Sequence, residues 1–186
     1  MMVINIEKYI SVLKFNRLFL GMSSEELFKL FRENGYNISR HSRNGVIHLE
    51  GEICKTLDII LAGEVLVQKI DEDGNVLTIS RFVPGDNIAG NLLFSSHPYY
   101  PMSVSAKTDV ILLRIDKGLV LKLCQSSMDF LLEFLACMSD KTATLTSTIK
   151  SISMKTIREA VIDLLSYEYS LQKSHRIKFN MTKKIG

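Results

Sequence analysis

The sequence predicts an α+β fold: an antiparallel β-roll of jelly-roll type (a double-stranded β-helix) with flanking helices, then a long helix and the start of a second small domain. Three observations predict it. Apolar residues before position 38 recur at helical spacing, short apolar runs between 45 and 113 alternate with glycine-bearing turns, and a heptad repeat runs from 128 to 152. A chain of 186 residues supports one good core and a smaller second unit, and 46% hydrophobic with 23% charged residues is ordinary for a globular protein.

Residues 5–38 read as helical. Ser23-Ser24-Glu25-Glu26 ahead of Leu27, Phe28, Leu30 and Phe31 is an N-cap followed by an apolar stripe. The period then changes, and Gly45, Gly51, Gly63, Gly74, Gly85 and Gly90 punctuate the short runs. The clearest hairpin joins Val65–Ile70 to Val76–Phe82 through Asp71-Glu72-Asp73-Gly74-Asn75, whose residues tolerate φ > 0. Pro84-Gly85-Asp86 ends its second strand. Strands this short, at this spacing, imply a sandwich or barrel-like roll.

Met128, Leu131, Leu135, Met138, Thr142, Leu145, Ile149 and Ile152 are alternately three and four residues apart. A helix over this stretch is roughly 40 Å long at ~1.5 Å per residue, more than a small roll covers. The simplest cover for the stripe is the same helix of a second copy, giving a two-fold homodimer. The alternative cover is the helix's own domain. Ser151-Ile152-Ser153 reads as a hinge, Thr156 to Glu159 as the opening of another helix, 175–180 as a short strand, and Thr182 as the N-cap of a helix just begun.

Nine basic residues against three acidic ones between 141 and 186 give that stretch +6 and the first 140 residues −3, for +3 in all. A basic tail suits a polyanion partner and equally suits a solvated helix face. Apolar-rich runs such as 57–62 and 110–113 are too short to span a bilayer, so no membrane partner is expected. The first seven residues lack the basic and apolar regions of a secretory signal. Cys54, Cys124 and Cys137 are widely spaced and form no C-x-x-C pair, which suits reduced thiols in a cytoplasm.

Gly45-Val46-Ile47-His48-Leu49-Glu50-Gly51-Glu52, the run from Leu57 through Gly63-Glu64-Val65, and Arg81-Phe82-Val83-Pro84-Gly85-Asp86 resemble the cyclic-nucleotide-binding roll of the Crp/Fnr family of transcription regulators. The resemblance implies an effector-sensing roll at 5–117, a dimerisation helix at 118–152, and the N-terminal part of a winged helix-turn-helix domain at 153–186, its recognition helix lying beyond Gly186. It further implies a homodimer reading two DNA half-sites in the major groove. Lys183 and Lys184 are then candidates for phosphate contact.

In members of that family that bind cyclic nucleotides, a short helix carries a Gly-Glu pair, and an Arg-Ser or Arg-Thr pair follows about ten residues later. Helix-start amides and the guanidinium hold the phosphate, and the carboxylate takes the ribose hydroxyl. Here Gly90 matches, Asn91 stands for the glutamate, and Tyr100 and Pro101 stand for the arginine and its hydroxyl partner. A buried phosphate without a counter-charge costs on the order of several kcal/mol, so the expectation is a regulator that does not use cyclic AMP. The effector-pocket candidates are Gly90, Asn91, Leu92, Tyr99, Tyr100 and Pro101. Phe94, Tyr99, Tyr100 and Met102 suggest either an apolar pocket for an unidentified small-molecule effector or side chains that fill the ligand space, with no effector at all. An effector near Asn91 and Tyr100 would touch the long helix and shift the balance between two dimer arrangements.

Other chemistry is weaker. No cysteine precedes Cys54 to hold an iron–sulfur cluster, and His41, His48 and His97 are scattered rather than placed for haem or metal. A metal-dependent cupin enzyme needs converging histidines, and His48-Leu49-Glu50 is the one close pair. No catalytic residue, metal or cofactor is expected. A ligand-binding dimer without DNA contact is the remaining alternative.

Overall fold

The stretch 5–38, read as helical, is a series of short helical turns followed by one longer helix, and its last two residues belong to a strand. The computed structural model describes residues 6–34, 36–71 and 73–154, with Ile162, Leu165 and Ser166. A 3-10 turn at Ile6–Tyr9 leads to α1 (Ile10–Leu13), a second 3-10 turn at Arg17–Phe19, and α2 (Ser24–Asn34). Asn16 breaks the first run with an extended backbone, its side-chain oxygen accepting from Leu18 N and its amide donating to Gly85 O at 2.8 Å. The helix predicted after Ser23 starts on a capping box: Ser23 Oγ accepts from Glu26 N at 3.2 Å and the Glu26 carboxylate accepts from Ser23 N at 2.7 Å. Asn37 and Ile38 already belong to a strand.

The predicted antiparallel roll is present. Strands β1 (Asn37–His41), β2 (Val46–His48), β3 (Thr56–Ala62), β4 (Val65–Ile70), β5 (Val76–Phe82), β6 (Asn87–Ile88), β7 (Ser103–Ala106) and β8 (Val110–Asp116) form two four-stranded sheets, β1-β8-β3-β6 and β2-β7-β4-β5. The β4–β5 hairpin has the predicted bounds, and Asp71 Oδ1 closes its turn by accepting from Asn75 N at 2.8 Å. Between β3 and β4, Gly63 has φ +85°, and a Cβ there would lie 2.1 Å from the Asp109 carbonyl oxygen. Only glycine fits that approach. Strand β3 is buried on both faces: Leu57, Asp58, Ile59, Ile60 and Leu61 are each at most 2% exposed. One ionisable side chain, Asp58, thus sits inside the apolar core.

After β6 come α3 (Gly90–Leu93) and, beyond β8, α4 (Lys117–Ser126) and α5 (Met128–Met154). The stretch 118–152 is therefore two helices rather than one. Ser127 is extended (φ −136°, ψ 113°) and ends α4, while its hydroxyl accepts from Phe130 N at 3.2 Å and starts α5. Ser151 to Ser153 do not form the expected hinge, since α5 continues through them to Met154. Serine lowers helix propensity only modestly, and no glycine or proline stands there to stop it.

By its internal contacts the chain divides into two compact units, Met1–Met138 and Ser139–Gly186. Within the first, an aromatic ladder fixes the opening turns of α5. Phe130 meets Phe19 at 5.7 Å between ring centroids, Phe19 meets Phe31 at 5.9 Å, and Phe134 stacks on Phe130 at 6.4 Å. Each such buried ring contributes about 1.5–3 kcal/mol. Phe130, Phe134 and Cys137 are the inward stripe of α5, so its own domain covers this face. Of the predicted seam, Leu131 and Met138 are half-buried, whereas Met128 (66%), Leu135 (51%), Leu145 (62%) and Thr142 are exposed, joined by Leu132 (57%). Ile149 and Ile152 lie further along α5, their side chains outside the description. The segment from 155 onward falls almost wholly outside the described residues, Lys183 and Lys184 included, and with it the expected DNA-binding domain. Among the described residues, no helix is long and apolar enough to cross a membrane.

Candidate sensor site

Three neighbouring pieces build the site: the loop after β2, the buried strand β3, and the segment from α3 to β7. Residues 98–100 lie along 51–54 as a short antiparallel strap. Cys54 N donates to Pro98 O at 2.6 Å, Tyr100 N to Glu52 O at 2.9 Å, and Gly51 N to Tyr100 O at 2.8 Å. Ile53 and Tyr99 form the bridge between them. Alternation across this strap sends Tyr100 inward, 3% exposed, and Tyr99 outward, 49% exposed.

The Tyr100 ring lies flat on the imidazole of His48, with centroids 4.2 Å apart and planes within 12°. His48 is buried, and its Nε2 is 2.7 Å from Asp58 Oδ2 while its Nδ1 is 3.5 Å from Glu52 Oε1. Asp58 Oδ1 accepts from Thr56 Oγ1 at 2.6 Å, and Arg114 Nε stands 3.7 Å from Asp58 Oδ2. Strand pairing explains the meeting, because Asp58 on β3 is directly opposite Arg114 on β8. Burial raises the Tyr100 hydroxyl far above its ordinary pKa, the Asp58 charge adding to the effect. Burial likewise pushes the Cys54 thiol up and, with the Arg114 charge, holds His41 down. The Tyr100 hydroxyl and Arg114 Nε are buried without a hydrogen-bond partner among the described residues.

The predicted pocket residues differ in exposure. Gly90 is buried, Leu92 half-buried, and Asn91 and Pro101 exposed. Phe94 turns toward α5, edge-on to Phe134 at 5.7 Å, beneath Lys117 Nζ at 5.1 Å. Of the two outcomes expected for Tyr100, filling the interior is the one its burial favours. Gly90 and Phe94 stand against the long helix: a Cβ on Gly90 would meet Met138 Cε at 3.2 Å and Leu57 Cδ1 at 3.3 Å. The left-handed residue ahead of α3 is Ala89 (φ 63°). The His48-Glu50 pair does not act together, since His48 turns to Asp58 and Glu50 pairs with Lys69. Sequence reading passed over Asp58, Glu52 and Arg114. The signal was a carboxylate in the middle of the run 57–62.

Residues 39–127 match the family model of the cyclic nucleotide-binding domain. The structure is similar to a transcriptional regulator from Thermotoga maritima, with TM-score 0.64 and 24% identity over 69% of this chain and 98% of that one. It is also similar to the sensor domain of the transcriptional regulator DNR from Pseudomonas aeruginosa (TM-score 0.64, 17% identity, 83% of this chain, 99% of that one). The Catabolite Activator Protein of Thermus thermophilus gives TM-score 0.64 and 17% identity over 74% of this chain and 63% of that one. No curated protein sequence matches the chain. The roll has the cyclic nucleotide-binding fold of these Crp/Fnr-type regulators.

Proposed function

We propose that this chain is the sensing and dimerising part of a cytoplasmic, DNA-binding transcription regulator of the Crp/Fnr type, and that cyclic AMP is not its effector. The observation that carries the second half is Tyr100. Where a phosphate-binding guanidinium is expected, a neutral ring lies buried on His48. The ribose-binding carboxylate is missing in either register. Read from Gly90, its place is taken by Asn91; read from the left-handed Ala89, where a glycine is least strained, it is taken by Gly90 itself. The exposed stripe Met128, Leu132, Leu135 and Leu145 supports a homodimer along α5. DNA binding rests on the likeness to transcription regulators and on the basic stretch after 140.

Fragmented genomic DNA captured by the native protein, with and without cyclic AMP, tests both halves. The expected result is a discrete set of two-fold symmetric sites, recovered equally under the two conditions. Recovery of no discrete sites refutes the regulator reading, and sites captured only with the nucleotide refute the effector reading.

A further inference from the structure

We propose that His48 is a proton-operated latch, whose doubly protonated ring holds Glu52 inward and so fastens residues 51–54 to the strap at 98–100. Its two ring nitrogens face two carboxylates, Asp58 at 2.7 Å and Glu52 at 3.5 Å. Only the imidazolium donates to both. The neutral ring keeps its proton on the shorter bond, to buried Asp58, and turns a lone pair toward Glu52. Glu52 is free to respond, because its side chain is 48% exposed while Asp58 is fully buried.

What Glu52 releases is specific. Its second oxygen accepts from Leu49 N at 3.0 Å, and its backbone carbonyl receives Tyr100 N. Swinging the carboxylate outward therefore loosens the 49–52 turn and the strap paired with it. The strap leads back through Phe94 and Gly90 to Phe134 and Met138 of α5. The groups facing the ring pull both ways, and the two carboxylates in contact with it favour the imidazolium. Asp58 from β3 and Glu52 from the loop are balanced by the imidazolium and by Arg114 from β8; His41 from β1 stands further along the same cluster, and Cys54 and Tyr100 are neutral thiol and phenol. The closed latch binds one more proton than the open one, so acid favours it and base releases it.

The step from strap to α5 rests on the regulator reading, but the latch is tested within the roll. Hydrogen exchange of the Gly51, Cys54 and Tyr100 amides, corrected for intrinsic rate, is followed between about pH 5.5 and 8, where histidines change charge. The His48 ring is titrated by NMR in the same samples. Protection should fall about fivefold with the midpoint of the His48 titration, the size of one partly exposed ion pair. Glu52→Gln, a substitution at a half-exposed side chain, should abolish that dependence, since an amide donates to the neutral ring and accepts from Leu49 N. Flat protection across a range in which His48 titrates overturns the latch, and so does a pH dependence that persists in Glu52→Gln. Neither result bears on DNA capture, so the two readings fail separately.

Discussion

Replacing Tyr100 by phenylalanine should stabilise the protein. The ring is 3% exposed and stacks on His48, and phenylalanine keeps both features. What it removes is a buried hydroxyl with no nitrogen or oxygen hydrogen-bond partner among the described residues. Burying an unpaired hydroxyl costs about 1–3 kcal/mol, whereas deleting it from a site of unchanged shape costs little. The Cys54 thiol beside it is a weak partner and already faces the Thr56 and Ala89 carbonyls at 3.5 and 3.8 Å. Allowing for that contact, Tyr100→Phe should gain about 1 kcal/mol, or roughly 2–4 °C in Tm for a chain of this size. Urea denaturation gives the sign directly, provided the slope m is unchanged. Losing the ring is different: Tyr100→Ala should cost about 3–5 kcal/mol. A phenylalanine variant less stable than wild type would refute the reasoning, because the hydroxyl would then be gripping something the roll needs.

Two further perturbations test the frame around the site. Gly63→Ala places a methyl 2.1 Å from the Asp109 carbonyl at φ +85°, so thermal denaturation should show a loss well over ~1 kcal/mol, and a wild-type Tm would mean the β3–β4 turn can rearrange. Leu135→Glu changes a side chain already 51% exposed, so monomer stability should move by no more than about 0.5 kcal/mol while self-association weakens in sedimentation equilibrium; unchanged association would move the dimer contact off this face of α5.

Local chemistry was legible wherever one short segment decides the outcome. The Ser23 capping box and the Asp71–Asn75 turn each close within five residues, and both elements lie where spacing placed them. The breaks at Asn16 and Ser127 were not legible. Asn16 is held by Gly85, 69 residues away, and asparagine and serine, though favoured as caps, also occur inside helices, as Ser151 does in α5. The heptad pattern was real but incomplete as a guide to facing. Spacing of three and four marks two adjacent stripes on one helix, and only the packing of Phe130 and Phe134 on Phe19 and Phe94 tells which faces inward.

The site escaped for a related reason, and the way it did so strengthens the argument about the effector. Asp58 and His48 are ten residues apart, and their meeting depends on the pairing of β3 with β8 and of β2 with β7. Sequence comparison along 90–101 registers only the missing arginine and glutamate. The structure adds that Tyr100, the residue in the arginine's place, lies within the field of two carboxylates, Asp58 and Glu52. An anion set there would meet buried negative charge, with Arg114 already committed beside Asp58. The interior of the roll, as well as its loop, thus supports the proposal that cyclic AMP is not the effector.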